Sequence, residues 1–187
     1  MKEFIRYIRT LYPVSNEAAE ALAGIMTEVK CKKHAILQPI GHTCRVIYFV
    51  KKGALRIFYE KDGKDITESL EFENAFVARA ESLLSGEPSH KGIEAMEDST
   101  LYAINAAKLV ELYDQYLEIE RLFKKIFLNA FVTMLKRIES IQFYPAETRY
   151  ANFVKENPNV LKRVSLKYIA SYLGITQVSL SRIRAKH

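Results

Sequence analysis

The segment VSLKYIASYLGITQVSLSRI, residues 164–183, decides how the chain folds at its end. Between Leu166 and Leu173 apolar residues recur at helical spacing, and Gly174 is the residue type best suited to a positive φ after a helix. Thr176 is a sound N-cap for a second helix, because its hydroxyl can accept a hydrogen bond from an amide of the first turn. Two short helices joined by such a turn predict a helix-turn-helix.

In the second of these helices Leu180 and Ile183 face inward, which leaves a polar outer side near its N-terminal end. Gln can pair with adenine, Arg with guanine, and Val can touch a thymine methyl, so this side suits the major groove of DNA. The side chains predicted to face the groove are Thr176, Gln177, Val178, Ser179, Ser181 and Arg182. Those predicted to contact phosphates are Arg163, Lys167, Arg184 and Lys186. The alternative is that the helix pair only caps a globular domain.

The positive charge of the chain is concentrated at its end. Between Lys136 and His187 there are ten Lys or Arg residues and three Glu, a net charge of +7, so the first 135 residues carry −1 of the total of +6. No acidic residue follows Glu156. A block of one sign indicates a polyanionic partner such as double-stranded DNA, and a solvated basic tail without a partner is the alternative.

The sequence pattern from about Glu28 to Ile104, the middle of the chain, predicts short strands. RVIYFV (45–50) and ALRIFY (54–59) are rich in β-branched and aromatic residues and are bounded by turn signals. Asp62-Gly63 predicts a hairpin turn. Several short strands at this spacing predict a small antiparallel barrel or roll, preceded by short helices for which Ser15 is a plausible N-cap.

After Asn105, a second plausible N-cap, the chain is predicted to be helical, with a short helix near 106–113 and a long one over about 117–143. Apolar residues cover most of the circumference of the long helix, so we expect it to be buried on two sides. The roll can cover one side, and the same helix of a second subunit can cover the other. A central helix inside one compact monomer is the alternative. Pro145 begins a new helix, which places the domain boundary near Phe143.

A roll, a long helix and a C-terminal helix-turn-helix, in that order, resemble the Crp/Fnr family of bacterial transcription regulators. The resemblance is carried by RVIYFVKKGALRIFY (45–59), by SGEPSHKGIEAMEDSTLYAI (85–104), and by residues 164–183. It implies an α+β fold. An antiparallel β-roll, like the jelly roll of cyclic-nucleotide-binding domains, would carry a long dimerisation helix and be followed by a small all-α helix-turn-helix domain.

The resemblance also implies an organisation and a function. A sensor domain would occupy residues 1–143, with the dimerisation helix at about 117–143, and a DNA-binding domain would occupy residues 144–187. The protein would act as a homodimer on a palindromic DNA site, with RNA polymerase as a further partner. Family members commonly carry a Glu that accepts from cytosine where Val178 stands here, while Arg182 matches their base-contacting arginine. The DNA sequence recognised cannot therefore be borrowed from relatives.

A second departure from the family lies in the effector pocket. Members that bind cyclic AMP hold the ribose with a Gly-Glu pair and the cyclic phosphate with an Arg followed by Ser or Thr. The resemblance places Ala78 and Arg79 at the first pair and Ser89 and His90 at the second. Because the phosphate's arginine is missing from its place, we expect a small effector other than cyclic AMP, or none. Arg79 either supplies a positive charge from another wall of the pocket or is simply a surface or salt-bridged residue.

Several classes of protein are disfavoured. No apolar run approaches the length of a membrane span, and the N-terminal segment is too short and too charged for a secretory signal, so a cytoplasmic protein is expected. Cys31 and Cys44 fit no metal-site spacing and predict two free thiols, and no metal site or cofactor is expected. No catalytic triad, carboxylate pair or phosphate-binding loop stands out, so the chain is not expected to be an enzyme. The competing class is a ligand sensor or scaffold that does not bind DNA.

Overall fold

A computed structural model describes residues 1–185. Within this range the chain opens with two helices, α1 (Lys2–Leu11) and α2 (Asn16–Gly24). Eight strands follow: β1 (Met26–Cys31), β2 (Ile36–Gln38), β3 (Val46–Lys52), β4 (Leu55–Lys61), β5 (Lys64–Glu71), β6 (Phe76–Val77), β7 (Gly92–Ala95) and β8 (Ser99–Asn105). A short helix, α3 (Ala80–Ser85), separates β6 from β7. Six helices complete the description: α4 (Ala106–Gln115), α5 (Leu117–Phe143), α6 (Ala146–Glu156), α7 (Val160–Arg163), α8 (Leu166–Leu173) and α9 (Gln177–Arg184).

The strands form two four-stranded antiparallel sheets, with the orders β1-β8-β3-β6 and β2-β7-β4-β5. The predicted hairpin joins β4 to β5, and Lys61 pairs with Lys64 across its tip. Asp62 and Gly63 at the tip have φ angles of 52° and 70°, the positive values that a tight two-residue hairpin turn requires. Buried aliphatic side chains fill the space between the two sheets. The predicted α+β fold with an antiparallel roll is therefore confirmed.

Helices cover the outer face of the first sheet. Phe49 and Tyr102 of β3 and β8 pack there against Phe4 of α1, and residues of α2, α4 and the first half of α5 complete this cluster. The predicted caps are present, because the Ser15 side chain accepts a hydrogen bond from the Ala18 amide and the Asn105 side chain accepts one from the Lys108 amide. The starts of α2 and α4 are thus where the sequence predicts them.

Helix α5 spans the predicted residues 117–143 but is buried only in its first half. The buried side chains there are Ile119, Leu122, Phe123 and Ile126. Beyond them a run of large apolar side chains is exposed: Phe127, Leu128, Phe131, Val132, Met134, Leu135, Ile138, Ile141 and Phe143. The first eight of these side chains are 43–53% exposed, whereas the buried core residues of the chain are at most 9% exposed. Within one chain, the second half of α5 therefore lacks the second cover that its apolar pattern predicts.

The C-terminal helices pack on the outer face of the second sheet. Ala54, Leu70 and Met96 of the roll belong to the same buried cluster as the apolar residues of α6, α8 and α9. The predicted boundary near Phe143 coincides with the end of α5, since Pro145 caps the N-terminus of α6. The helices that follow this boundary nevertheless share a hydrophobic core with the roll.

The cysteines and the helix lengths can be compared with the sequence predictions. Cys31 and Cys44 are free thiols, half-buried and buried respectively. None of the helices in residues 1–185 combines the length and the apolar character that spanning a bilayer requires.

Candidate nucleic-acid interface and effector pocket

Helices α8 and α9 are joined by the turn that the sequence predicts. Gly174 has φ 67° and ψ 34°, and its amide donates to the carbonyl groups of Ala170 and Ser171, which closes the end of α8. The Thr176 hydroxyl then accepts a hydrogen bond of 3.1 Å from the Ser179 amide and begins α9. Ile175 packs between the helices in the buried cluster. The described residues therefore contain two short helices joined by the turn at Gly174.

Helix α9 presents one buried and one exposed side. Leu180 and Ile183 are 1% and 6% exposed and hold the helix on α8. The exposed side chains are those of Thr176, Gln177, Val178, Ser181, Arg182 and Arg184. Ser179 is half-buried, and its hydroxyl lies 2.9 Å from that of Thr176 within the cap. The side that the sequence assigns to the major groove is thus open to solvent, apart from Ser179.

The cations of this side differ in how they are paired. Within residues 1–185 neither Arg182 nor Arg184 takes part in a hydrogen bond or an ion pair. The ammonium of Lys167 lies 3.9 Å from Asp65, at the limit of an ion pair, and its side chain is 55% exposed. Lys186, which is predicted to contact a phosphate, lies outside the described residues. Two full positive charges are consequently available on α9.

The structure places Arg163 in a different role from the predicted phosphate contact. Its guanidinium donates to both oxygens of Glu73 at 2.7 and 2.9 Å, to Glu97 at 2.6 and 3.0 Å, and to the Gly53 carbonyl at 3.0 Å. Burial raises the pKa of Glu73, but the hydrogen bonds from Arg163 and from backbone amides, with the charge of Arg163, together hold this pKa below its usual range. Since two carboxylates surround it, Arg163 joins α7 to the roll. Its predicted phosphate contact stays a prediction and would have to compete with these ion pairs.

Other polar contacts also hold α8 on the roll. Arg56, whose side chain is 3% exposed, donates to Glu94 and Asp65, and its guanidinium lies 4.1 Å from the ring centre of Tyr168. The Thr67 amide donates to the Ser171 hydroxyl at 2.8 Å. These contacts fix the orientation of α8, and therefore of α9, relative to the second sheet.

The residues predicted to line the effector pocket lie on both sides of α3. Arg79 is the N-cap residue of α3, and Ala78 before it is half-buried against the first hydrophobic cluster. Ser89 is 2% exposed, and its hydroxyl accepts from the Lys91 amide at 3.1 Å. His90 is exposed. The structure thus brings Arg79 and Ser89 into one buried region and leaves His90 at the surface.

Arg79 is neutralised by side chains of the chain itself. One terminal nitrogen donates to both oxygens of Glu81, at 2.8 and 2.9 Å, and the other lies 3.3 Å from Glu68. The second oxygen of Glu68 accepts from the Lys91 ammonium at 2.7 Å. Burial raises the pKa of Glu81, but its hydrogen bond with Arg79, a backbone hydrogen bond and the charges of Arg79 and Lys91 together lower this pKa. Of the two readings of Arg79, a salt-bridged residue is the one observed, and it is buried rather than on the surface.

The residues that sequence reasoning missed are all partners of these arginines. Glu73 and Glu97 lie 90 and 66 positions from Arg163 in the chain, so no local pattern connects them. Glu81 lies only two positions after Arg79, and this spacing at the start of a helix was the available signal for that pair.

Residues 28–116 match the family model of the cyclic nucleotide-binding domain. The match begins in β1 and ends after α4, so it covers the roll and the pocket residues and excludes α8 and α9. No curated protein matches the sequence. The chain is therefore an antiparallel roll, similar over these residues to the cyclic nucleotide-binding domain, followed by helices.

Solved structures share this fold along most of their length. FixK2 from Bradyrhizobium japonicum matches with a TM-score of 0.75 at 19% identity, over 87% of this chain and 84% of that one. A transcriptional regulator from Eubacterium rectale assigned to the crp/fnr family has a TM-score of 0.72 at 19% identity, over 93% and 85%. CLP of Xanthomonas campestris, a global regulator responsive to c-di-GMP, has a TM-score of 0.71 at 15% identity, over 92% and 91%. At identities of 15–19%, these three structures show that the chain shares their fold.

Proposed function

We propose that the chain is a homodimeric, sequence-specific DNA-binding transcription regulator of Crp/Fnr type. The observation that carries the proposal is the exposed side of α9, on which Arg182 and Arg184 are unpaired within the described residues. A helix-turn-helix that presents free cations and hydrogen-bonding side chains has the chemistry to bind phosphates and read base edges. The folds of FixK2 and of the Eubacterium rectale regulator support the same function.

The proposed dimer rests on α5. Its second half exposes a continuous run of apolar side chains, among them Phe131 at 51% and Leu135 at 43%. A patch of this kind on a helix favours burial against another apolar surface, and two copies of α5 provide matching surfaces through a two-fold axis. A two-fold dimer would place two α9 helices on a palindromic site.

Several finer points belong to the same proposal. The DNA contacts are Gln177, Val178 and Arg182 at base edges, with Thr176, Ser179 and Ser181 beside them, and Lys167, Arg184 and Lys186 at phosphates. The DNA-binding unit comprises residues 144–187 and the sensor residues 1–143, in a cytoplasmic protein without enzymatic activity. RNA polymerase would be a further partner. A ligand sensor or scaffold that does not bind DNA is the competing function, and the packing of the C-terminal helices on the roll is the observation that favours it.

Selection from a pool of random DNA duplexes separates the two functions. The purified wild-type protein is incubated with the pool at low salt, and retained duplexes are recovered from a gel shift and sequenced over several rounds. The proposal expects retention and enrichment of a palindrome with half-sites about one helical turn apart. Failure to retain any duplex at low salt would exclude DNA binding and leave the sensor or scaffold function.

A further inference from the structure

The region predicted to form the effector pocket contains a buried cation, Arg79, that is already paired with a carboxylate of the chain, Glu81. The side chain of Arg79 is only 8% exposed, so it has little contact with water. Both oxygens of Glu81 accept from a single terminal nitrogen of its guanidinium, at 2.8 and 2.9 Å. An arginine binds the carboxylate or phosphate of a ligand through these same terminal nitrogens. Glu81 therefore takes the position that an anionic ligand of Arg79 would need.

The second carboxylate of the pocket, Glu68, is connected to the helix-turn-helix. Its side chain accepts from Arg79 and Lys91, and its carbonyl oxygen accepts a hydrogen bond of 3.1 Å from Arg137 of α5. Arg137 also donates to the Tyr172 carbonyl at the end of α8. The adjacent Thr67 amide donates to Ser171 of the same helix. One short piece of β5 thus contacts both the pocket cations and α8.

We infer that Glu81 is a built-in anionic ligand that excludes external anions from Arg79 and, with Glu68, holds β5 and α8 in the DNA-binding arrangement without an effector. The first half of this inference concerns specificity and stands on the pocket geometry alone. The second half rests on the proposed function, because it says how that function is regulated. Removing the charge of Glu81 should therefore create an anion site that the wild-type protein lacks.

Anion binding is measured with cyclic AMP as the probe, by calorimetry and by thermal unfolding at constant ionic strength. The wild-type protein should bind no tighter than about millimolar, a free energy near −4 kcal/mol. Glu81→Gln should bind the nucleotide about 10- to 100-fold more tightly, because a charge-assisted partner of Arg79 has become available. Glu87→Gln removes the same charge from an exposed residue after α3 and should behave like the wild-type protein.

The double variant Arg79→Gln/Glu81→Gln tests whether Arg79 is the group that binds cyclic AMP in Glu81→Gln. It should lose the affinity that the single variant gains. Equal cyclic AMP affinity in the wild-type protein and Glu81→Gln would overturn the inference. So would micromolar binding by the wild-type protein. Thermal unfolding without nucleotide shows that each variant is folded, and retained cooperative transitions make either result decisive.

DNA affinity separates failure of this inference from failure of the proposed function. Wild-type affinity for the selected duplex should change by less than about twofold on adding cyclic AMP, whereas Glu81→Gln should bind DNA more weakly and regain affinity with the nucleotide. A wild-type protein that gains tenfold or more on adding the nucleotide would overturn the inference. A wild-type protein that binds no duplex under any condition would instead refute the proposed function, and the calorimetry would still decide what occupies the pocket.

Discussion

The effector pocket and helix α9 both hold arginines, but their charges are balanced in different ways. In the pocket, Arg79 is buried and paired with Glu81 and Glu68. On α9, Arg182 and Arg184 are exposed and have no ion-pair partner in residues 1–185. A buried cation must be neutralised, and here the chain supplies the anion; an exposed cation is solvated and available to a partner. The difference is that the chain supplies an anion to Arg79, whereas the arginines of α9 have none within residues 1–185.

The two halves of α5 show the same contrast for apolar side chains. Leu122 and Phe123 in the first half are covered by the chain itself, while Phe131 and Leu135 in the second half are not. Full burial of an exposed side chain of this size stabilises by about 1.5–3 kcal/mol, and these side chains, which are about half exposed, would gain about half of that. The second half of α5 is therefore expected to be covered by a second subunit.

The largest effect is expected from charging the exposed half of α5. Phe131→Glu or Leu135→Glu places a carboxylate in the proposed interface twice, because the interface is two-fold, and should abolish the dimer at micromolar concentration. Analytical ultracentrifugation measures the loss. Leu84→Glu, at an 89% exposed position on α3, is the matched control and should leave the dimer intact. A wild-type protein that sediments as a monomer at micromolar concentration would contradict the account of α5.

Gly174→Val tests whether the α9 surface depends on its turn. The Cβ of a residue at 174 would meet no atom within 4 Å, so the cost is one of backbone strain rather than of a clash. A left-handed conformation costs an ordinary residue about 1–2 kcal/mol, and a β-branched residue resists it most. We expect loss of DNA binding in a gel shift, with the roll still folded by circular dichroism. Gly174→Asn, a residue type that tolerates this conformation, should retain binding; equal loss in both variants would mean that the turn conformation is not what matters.

Arg182→Ala and Arg184→Ala distinguish base reading from phosphate contact within the unpaired surface. Arg182→Ala should cost about 1–3 kcal/mol on the preferred duplex and relax the preference at one base pair per half-site. Arg184→Ala, which removes the same charge, should weaken binding to all sequences alike, and Lys186→Ala should do the same. Competition gel shifts with good and poor sites measure both effects. Identical losses across sites for Arg182 and Arg184 would show that α9 does not lie in the major groove.

The smallest effect concerns the paired arginine of α7. The pKa of Glu73 is lowered in the folded protein, so its pair with Arg163 stabilises the fold above the unfolded-state pKa and this stability is lost as the pH falls through the folded-state value. Between about pH 6 and pH 3 the wild-type protein should lose more unfolding free energy than Arg163→Gln, by less than about 1 kcal/mol because the pair is partly exposed to water. Urea unfolding at several pH values measures the difference. Lys162→Gln, a change at the exposed neighbouring residue, should give the same dependence of unfolding free energy on pH as the wild-type protein. If Arg163→Gln also gave the wild-type dependence, Arg163 would not stabilise the fold through Glu73.

Features with a local cause could be predicted from the sequence. The caps at Ser15, Asn105 and Thr176 follow from one side chain and the amide three residues on. The hairpin at Asp62-Gly63 follows from the positive φ of its turn, and the bounds of α5 follow from a long apolar pattern between breaks.

The ion pairs could not be predicted in the same way. A run of basic residues in a sequence does not reveal which of them fold against a carboxylate. Arg163 meets Glu73 and Glu97 only because α7 lies against the roll, and Arg79 meets Glu68 only through the position of β5. The net charge of the C-terminal region therefore overstated the number of cations free to bind DNA by at least this one residue.

The salt dependence of DNA binding tests the central claim most directly. The association constant of the wild-type protein, freed of nucleotides, is measured for its selected duplex between about 50 and 200 mM salt. Lys167, Arg184 and Lys186 of both subunits would make six phosphate contacts, so a plot of log K against log salt should fall with a slope of about −5. The account predicts this slope without any added effector. A slope near zero, or no binding at the lowest salt, would contradict it.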